Sequence, residues 1–349
     1  MGSKVYFLDI QTFSGNFKLF ENILLKEIKI DEKFKKNDII GVKIHFGEKG
    51  NRAYIKPVYA NWFCDFLKRK GYKPFLTDTN TLYKGMRSNS VDHLDNAFFN
   101  GFSYFPVIIA DGLRGESYVK VEKELDILKE FYIGADIFYS DGLLFLTHFK
   151  GHELTGFGGS IKNMGMGCAA KRGKLVMHSN LTPSVDRDKC KGCFKCLKWC
   201  NVNSIKNVGG LAEIDKNICV GCGLCLEICD YKAINIDWQI ESSIMQKKMA
   251  EYAKISVEKK PSVFVNFVMD ISPVCDCYPY NKNPIAKDVG ILFSDDPVAL
   301  DRASFNLVCE RTGYDPFKKT HPSVDSLIQL EHAEKIGLGT NEYELVQIT

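Results

Sequence analysis

The amino-acid sequence predicts an α/β fold: a discontinuous α/β domain with a compact cysteine-rich module inserted in it. Three observations lead there. Strand-like and helix-like stretches alternate through the first 150 residues, eight of the thirteen cysteines fall within forty residues, and the alternation resumes beyond them. The expected limits are 1–182 and 241–349 for the two parts of the α/β domain and 183–240 for the insert. Neither flank looks complete alone.

The elements follow in order. FKLFENILLKEIKI (17–30) spaces its apolar residues as a helix does, and DIIGVKIHF (38–46) is a β-rich run carrying His45 near its end. PVYANWFCDFLKRKGY (57–72) reads as a helix with proline at its start and glycine at its close. KPFLTDTN (73–80) is a strand ending in Asp78, Thr79 and Asn80, VDHLDNAFFNGF (91–102) a short helix, and FPVIIADG (105–112) and GLLFLTHFK (142–150) two further strands. Past the cysteines, PSVFVNFVMDIS (261–272) and DVGILFSDDPVALDRASFNLV (288–308) return to strand and helix.

Composition narrows the class. A chain of 349 residues with 45% hydrophobic and 26% charged side chains has ordinary globular proportions. Forty-six basic residues against forty-three acidic ones, evenly spread and without a basic arm, argue against nucleic acid as a partner. MGSKVYFLDIQTF has no apolar run behind a positive stretch, and no run of about 18 apolar residues occurs anywhere. A cytoplasmic protein without a membrane span is expected.

The cysteines carry the strongest pattern. Cys190, Cys193, Cys196, Cys200 and then Cys219, Cys222, Cys225, Cys229 each spell C-x2-C-x2-C-x3-C, the spacing of a bacterial-type ferredoxin module with two 4Fe-4S clusters. The fourth cysteine of each run reaches the other cube, so the expected sets are crossed. Cys190, Cys193, Cys196 and Cys229 make the first, and Cys219, Cys222, Cys225 and Cys200 the second. A disulfide framework does not suit a chain without a secretory signal, and zinc would leave half of each run unexplained. One departure is that Asn201 and Asp230 stand where ferredoxin runs usually have proline.

Polar segments follow directly on the strands, where parallel sheets place their ligand sites. HFGEKGN, TDTN, HFKGH and DISPVCDC bring His45, Asp78, Asn80, His148, His152, Cys275 and Cys277 towards one sheet end; the plainer reading of each is a turn. The glycine-rich stretch supplies Gly156, Gly158, Gly159, Ser160, Lys162 and Asn163. Such a turn at a helix start offers backbone N–H groups to a phosphate or carboxylate, with Lys162 adding a cation. Close packing alone would also account for its glycines. Cys64 and Cys309 read as small buried side chains, whereas Cys168, Cys275 and Cys277 stand in polar surroundings. A C-x-C pair can chelate a soft metal or cycle between dithiol and disulfide.

VKIHFGEKGN, TDTNTLYKGMRSNSVDH, HFKGHELTGFGGSIKNMGMGC, the double cysteine run and DISPVCDCYPYNKNPIAKDVGILFSDDPVALD together cover most of the chain. In these segments it resembles the iron-sulfur members of the domain-of-unknown-function 362 family. That resemblance implies a discontinuous α/β domain with a ferredoxin module and no established reaction. A shorter stretch, His152, GFGGSIK ending at Lys162, and His178, is similar to the nickel-dependent lactate racemase family. It implies Lys162 at the position that anchors a nickel-pincer nucleotide and His178 at a metal-ligand position. The cysteine module and the CDC segment depart from that pattern.

The expected function is that of an iron-sulfur redox protein passing electrons through two 4Fe-4S clusters to a small-molecule site. Lys162, His152, Cys275 and Cys277 are its candidate catalytic residues. His45, Asp78, Asn80 and the glycine-rich residues are candidates for binding a cofactor, a nucleotide-like ligand included. His148, His178, Cys168, Cys275 and Cys277 are candidates for a further metal or redox site. An electron donor or acceptor protein is the expected partner, with a homo-oligomer as a further expectation. The alternatives are an electron-carrying binding subunit without chemistry of its own and a non-redox isomerase or lyase.

Overall fold

All seven residues of strand Gly142–His148 are buried, and this continuous apolar run forms the middle of the main sheet. The structure, a computed structural model, describes residues 2–12, 15–83, 85–178, 183–235 and 241–348. The expected module boundaries fall on segments 179–182 and 236–240, which lie outside the described residues.

The sheet has eight strands: β1 (Ser3–Asp9), β2 (Ile39–Lys43), β3 (Lys73–Asp78), β4 (Val107–Ile109), β5 (Gly142–His148), β6 (Ser262–Val268), β7 (Gly290–Ser294) and β8 (Tyr343–Ile348). Their spatial order is β8-β1-β7-β6-β5-β2-β3-β4, and only β7 runs antiparallel to its neighbours. The central pairing sets Phe264 beside Phe145 and Val265 beside Leu146. One sheet is thus built from chain on both sides of the cysteine module.

Period-two alternation sends side chains to two cores. Val5, Phe7, Leu143, Phe145, Phe264 and Leu292 pack on one face against helices α3 (Ser160–Cys168), α5 (Ser242–Val257) and α6 (Pro297–Thr312). Tyr6, Leu8, Leu144, Leu146, Val265 and Phe293 pack on the other against α1 (Pro57–Arg69) and α2 (Ser90–Phe99). Each fully buried side chain of this size contributes about 1.5–3 kcal/mol. α4 (Lys171–His178) follows α3 and leads towards the cysteine module.

Two elements differ from the sequence reading. Residues 17–30 do not form one helix: Lys18–Asn22 is α-helical and Ile23–Glu27 π-helical, and Lys29 takes a left-handed conformation (φ 54°) before a short turn at Ile30–Lys33. The wide turn turns Phe20, Ile23, Leu24 and Ile28 to the core together. A hairpin, Tyr118–Glu122 with Glu130–Gly134, occupies a stretch to which the sequence assigned no element.

The cysteine module carries an internal repeat. Residues 186–204 and 215–233 match in backbone conformation at three pairs of positions: Gly192 and Gly221 have φ +63°, Phe194 and Gly223 are left-handed, and so are Asn203 and Lys232. Asp186 N–H donates to Ala233 O and Asp215 N–H to Ser204 O, both at 2.7 Å, so each half closes on the other. Ser184–Val185 pairs with Ile234–Asn235 at the base, and Ile205–Val208 with Leu211–Ile214 forms a hairpin. Among the described residues no helix is long and apolar enough to cross a membrane.

Candidate functional site

The parallel strands β2, β3, β5 and β6 end on the same side, and the loops that follow enclose a cavity of about 790 Å³. Lys43, His45 and Glu48 line it from the end of β2 onward, Asp78, Leu82, Tyr83 and Arg87 from the end of β3 onward, and His148, His152, Glu153, Lys162 and Asn163 from the end of β5 onward. Cys275, Cys277 and Tyr278 close it after β6, and Lys174 and His178 reach it from α4.

The CDC segment is a tight turn in which Tyr278 N–H donates to Cys275 O at 3.2 Å. Its middle residue, Asp276, is fully buried and bonds His148 Nδ1 at 2.9 Å and Lys150 Nζ at 3.1 Å. Burial would raise its carboxyl, but His148 and Lys150 hold it well below the usual carboxylate range. The anchored aspartate leaves both sulfurs on the cavity wall, 3.0 Å apart. Lys162 Nζ lies 3.4 Å from Cys275 Sγ. The neighbouring Cys277 thiol, aided by Lys162 and Lys150 and opposed by burial, holds Cys275 down to about 5. Cys277 is raised by the same contact, so Cys275 ionises first.

His45 Nε2, Cys275 Sγ and Cys277 Sγ all lie within 4.8 Å of one another, a donor set suited to a soft or borderline metal. The imidazole tautomer opposes it. Gly47 N–H donates to His45 Nδ1 at 3.0 Å, which puts the hydrogen of the neutral ring on Nε2, 3.4 Å from Cys277 Sγ. Burial, then Arg87, lowers the His45 pKa and keeps the ring neutral.

The charge in the cavity is mostly paired. Lys43 meets Asp78 at 2.9 Å, and Arg87 meets Glu48 at 3.2 Å and Asp78 at 3.4 Å. Lys162 and Lys174 differ. Lys162 faces the Cys275 sulfur, and burial pushes Lys174 down to about 8 while it donates to Ala169 O at 2.7 Å and to the Thr79 hydroxyl. Burial, then Lys162, lowers His152 to about 3; burial, then His152 and Lys162, does the same to His178. Leu154 N–H donates to His152 Nδ1 at 3.2 Å, so the neutral ring keeps its hydrogen on Nε2.

In the cysteine module, one small cavity is lined by Cys190, Cys193, Cys196 and Cys229 and a second by Cys200, Cys219, Cys222 and Cys225. Ser204 N–H donates to Cys200 Sγ at 3.2 Å and Ala233 N–H to Cys229 Sγ at 3.3 Å, matching positions of the repeat. Cys193 is exposed. Leu226 packs with Leu82 and Leu175. Glu227 accepts from Ser88 Oγ at 3.3 Å and Lys171 Nζ at 3.4 Å, tying the module to the α/β domain.

The family profile described as "Domain of unknown function (DUF362)" matches residues 40–306. The chain belongs to the DUF362 family. A search of curated proteins returns no match. Among solved structures, this DUF362 chain is similar to the lactate racemase apoprotein from Thermoanaerobacterium thermosaccharolyticum, with 13% identity over 76% of this chain and 51% of that one and a TM-score of 0.41. It is also similar to a structural-genomics protein from Thermotoga maritima, with 12% identity over 85% and 59% of the two chains and a TM-score of 0.43. The chain thus spans little more than half the length of either.

Within the DUF362 domain, His45, Asp78, His148, His152, Gly158, Gly159, Lys162, Asn163, His178, Cys275 and Cys277 share the cavity. Four expected members do not line it. Asn80 is committed to Asp111 and to Gly112 O, and Cys168 is buried with its thiol pushed up to about 11 by burial. Gly156 packs on Ser326, and Ser160 Oγ donates to Asn266. His148 lines the cavity but has no nitrogen free for a metal, because Nε2 faces Met269 O at 2.9 Å while Nδ1 faces Asp276.

The anion-binding reading of the glycine-rich turn needs correction too. Ser160 N–H and Ile161 N–H, at the start of α3, donate to the Asp301 carboxylate at 2.7 and 2.9 Å. A Cβ on Gly159 would stand 2.4 Å from Asp301 Oδ1, so glycine there serves the close approach of the chain's own carboxylate. Lys43, Lys174, Arg87 and Tyr83 escaped the sequence reading. For Lys43 a signal existed, since a lysine inside an apolar strand run, G-V-K-I, must face something polar.

Proposed function

We propose that this DUF362 protein is an iron-sulfur redox protein that passes electrons from two 4Fe-4S clusters to a small anionic molecule in the cavity. The observation that carries the reading is the grouping of eight cysteines into two four-sulfur cavities, an arrangement whose donor chemistry suits 4Fe-4S cubes. Cys190, Cys193, Cys196 and Cys229 would hold one cluster, and Cys219, Cys222, Cys225 and Cys200 the other; bound there, they would supply one-electron transfer.

Exposed Cys193 marks the side at which an electron-donor or acceptor protein docks. Leu226, one residue after Cys225, meets Leu82 on the cavity wall, which gives the second set the inward position. In the cavity, Lys162 and Lys174 attract an anion and His152 Nε2–H offers it a hydrogen bond.

The test is anaerobic reconstitution, iron and sulfide analysis, and reoxidation of the reduced protein by candidate anionic acceptors. About eight irons and eight sulfides per chain, with reoxidation accelerated by a bound acceptor, are expected. Stoichiometric zinc in place of iron would overturn the reading. One observation favours a second reading, a non-redox isomerase: His152, Lys162 and His178 share one cavity. Turnover indifferent to the redox state of the clusters would select it.

A further inference from the structure

The Cys275–Asp276–Cys277 turn has more order than a ligand wall requires. Asp276 is drawn to His148 and Lys150, Glu48 N–H donates to Asp276 O at 3.0 Å, and Tyr278 N–H closes the turn. With its middle residue held from three directions, the turn can only present its two flanking side chains together. Their sulfurs stand 3.0 Å apart and face Lys162 on one side and His45 on the other. An S–S bond needs them closer by about 1 Å, at about 2.05 Å.

We propose that Cys275 and Cys277 form a dithiol–disulfide couple that stores two electrons between the iron-sulfur module and the cavity. This rests on the redox reading above and adds the step that converts one-electron delivery into two-electron chemistry. Leu82 and Tyr83 supply the connection. Leu82 packs on Leu226, between Cys225 and Cys229, while the Tyr83 hydroxyl bonds the Cys277 sulfur. Two consecutive residues therefore span from the module to the couple.

The step balances. In the oxidised pair the S–S bond breaks as two electrons arrive, which clusters held by the module would supply one at a time. One proton is taken up by Cys277, and Cys275 remains a thiolate opposite the Lys162 ammonium. The reverse step re-forms the S–S bond, releases that proton, and gives two electrons to an acceptor of the class that is reduced in two-electron steps. Cys275 is 1% exposed, whereas Cys277 is half-buried and gives the couple its open side. Metal binding is the competing use of these sulfurs, and the hydrogen on His45 Nε2 points at Cys277, where a cation would need a lone pair.

Coulometric reduction of the anaerobic, reconstituted protein tests the proposal once iron and sulfide have been counted. The native chain is expected to take up about four electrons and the Cys275→Ser chain about two, at equal iron content. Unfolding in denaturant with iodoacetamide, followed by mass spectrometry of the 275–277 peptide, should find both sulfurs unmodified in protein kept oxidised and both modified in protein reduced beforehand. That second measurement uses native protein alone, so it decides the matter even if the variant does not fold. About two electrons in both chains, thiols modified in both states, or a metal ion lost on Cys275→Ser would each overturn the couple while leaving the clusters in place. Absence of iron and sulfide would instead sink the redox reading itself.

Discussion

Lys162 Nζ, on the helix after the glycine-rich turn, lies 3.4 Å from Cys275 Sγ, 113 residues further along the chain. The contact joins a cation to the thiol that ionises first. It makes the reactivity of Cys275 the most direct readout of the cavity's electrostatics.

Removing the groups that hold Cys275 near 5 should move its ionisation towards the ordinary thiol value of about 8.5. Cys277→Ala takes away the largest contribution and should shift it most; Lys162→Ala should shift it in the same direction by less. Gly158→Ala should give a smaller shift, since the added Cβ would stand 2.9 Å from Lys162 Cδ. The pH dependence of iodoacetamide alkylation in reduced protein measures all three. A midpoint that ignores both Cys277 and Lys162 would remove them as its cause.

Crossed ligation predicts which double variants damage one cluster and which damage two. Cys193→Ser with Cys229→Ser should leave about four irons per chain, because both residues belong to one set. Cys193→Ser with Cys200→Ser should reduce the iron further, since those two sit in different cavities. Iron analysis with electron paramagnetic resonance of the reduced protein separates the cases, and the opposite ranking would mean uncrossed sets.

His152 gives a pH dependence with a definite sign. Its folded value of about 3 lies below the unfolded value of about 6.5, so the unfolded chain binds more protons between them. Stability is therefore lost as pH falls from about 6.5 towards 3, on the order of 2 kcal/mol from this residue by pH 5. Native protein should lose more thermal midpoint between pH 7 and pH 5 than His152→Asn does, measured anaerobically. Equal losses would mean that His152 protonates normally in the fold.

Glu227 is the carboxylate partner of buried Lys171, and replacing it should loosen the module from the α/β domain. Glu227→Gln is expected to cost about 1–3 kcal/mol while leaving iron content unchanged. Limited proteolysis within 183–235 should quicken. Unchanged proteolysis and thermal midpoint would show that the apolar contact at Leu82 holds the module without it.

Much of this arrangement can be read from the sequence because parallel strands gather their C-terminal ends. Residues directly after β-rich runs, such as His45, Asp78, His152 and Cys275, therefore meet at one cavity. What the sequence hides are partners fixed by distant packing. Asp301 fills the start of α3 from 140 residues away, a contact no local pattern announces. Lys174 lies on a short helix with other basic residues and reads as solvated until α4 turns it inward to Thr79. The hairpin Tyr118–Gly134 is mostly half-exposed on its first strand, so the alternation that marks a buried strand is weak there.

Strand β1 finds its neighbours only at Gly290–Ser294 and Tyr343–Ile348. During synthesis β1 must therefore wait unpaired until residues 290–294 have left the ribosome, whereas the pairings of the cysteine module close within 184–235. Such high contact order slows closure of the sheet relative to the module. The order of events gives the nascent chain a period in which the eight module cysteines are already gathered while the cavity that they adjoin has yet to form.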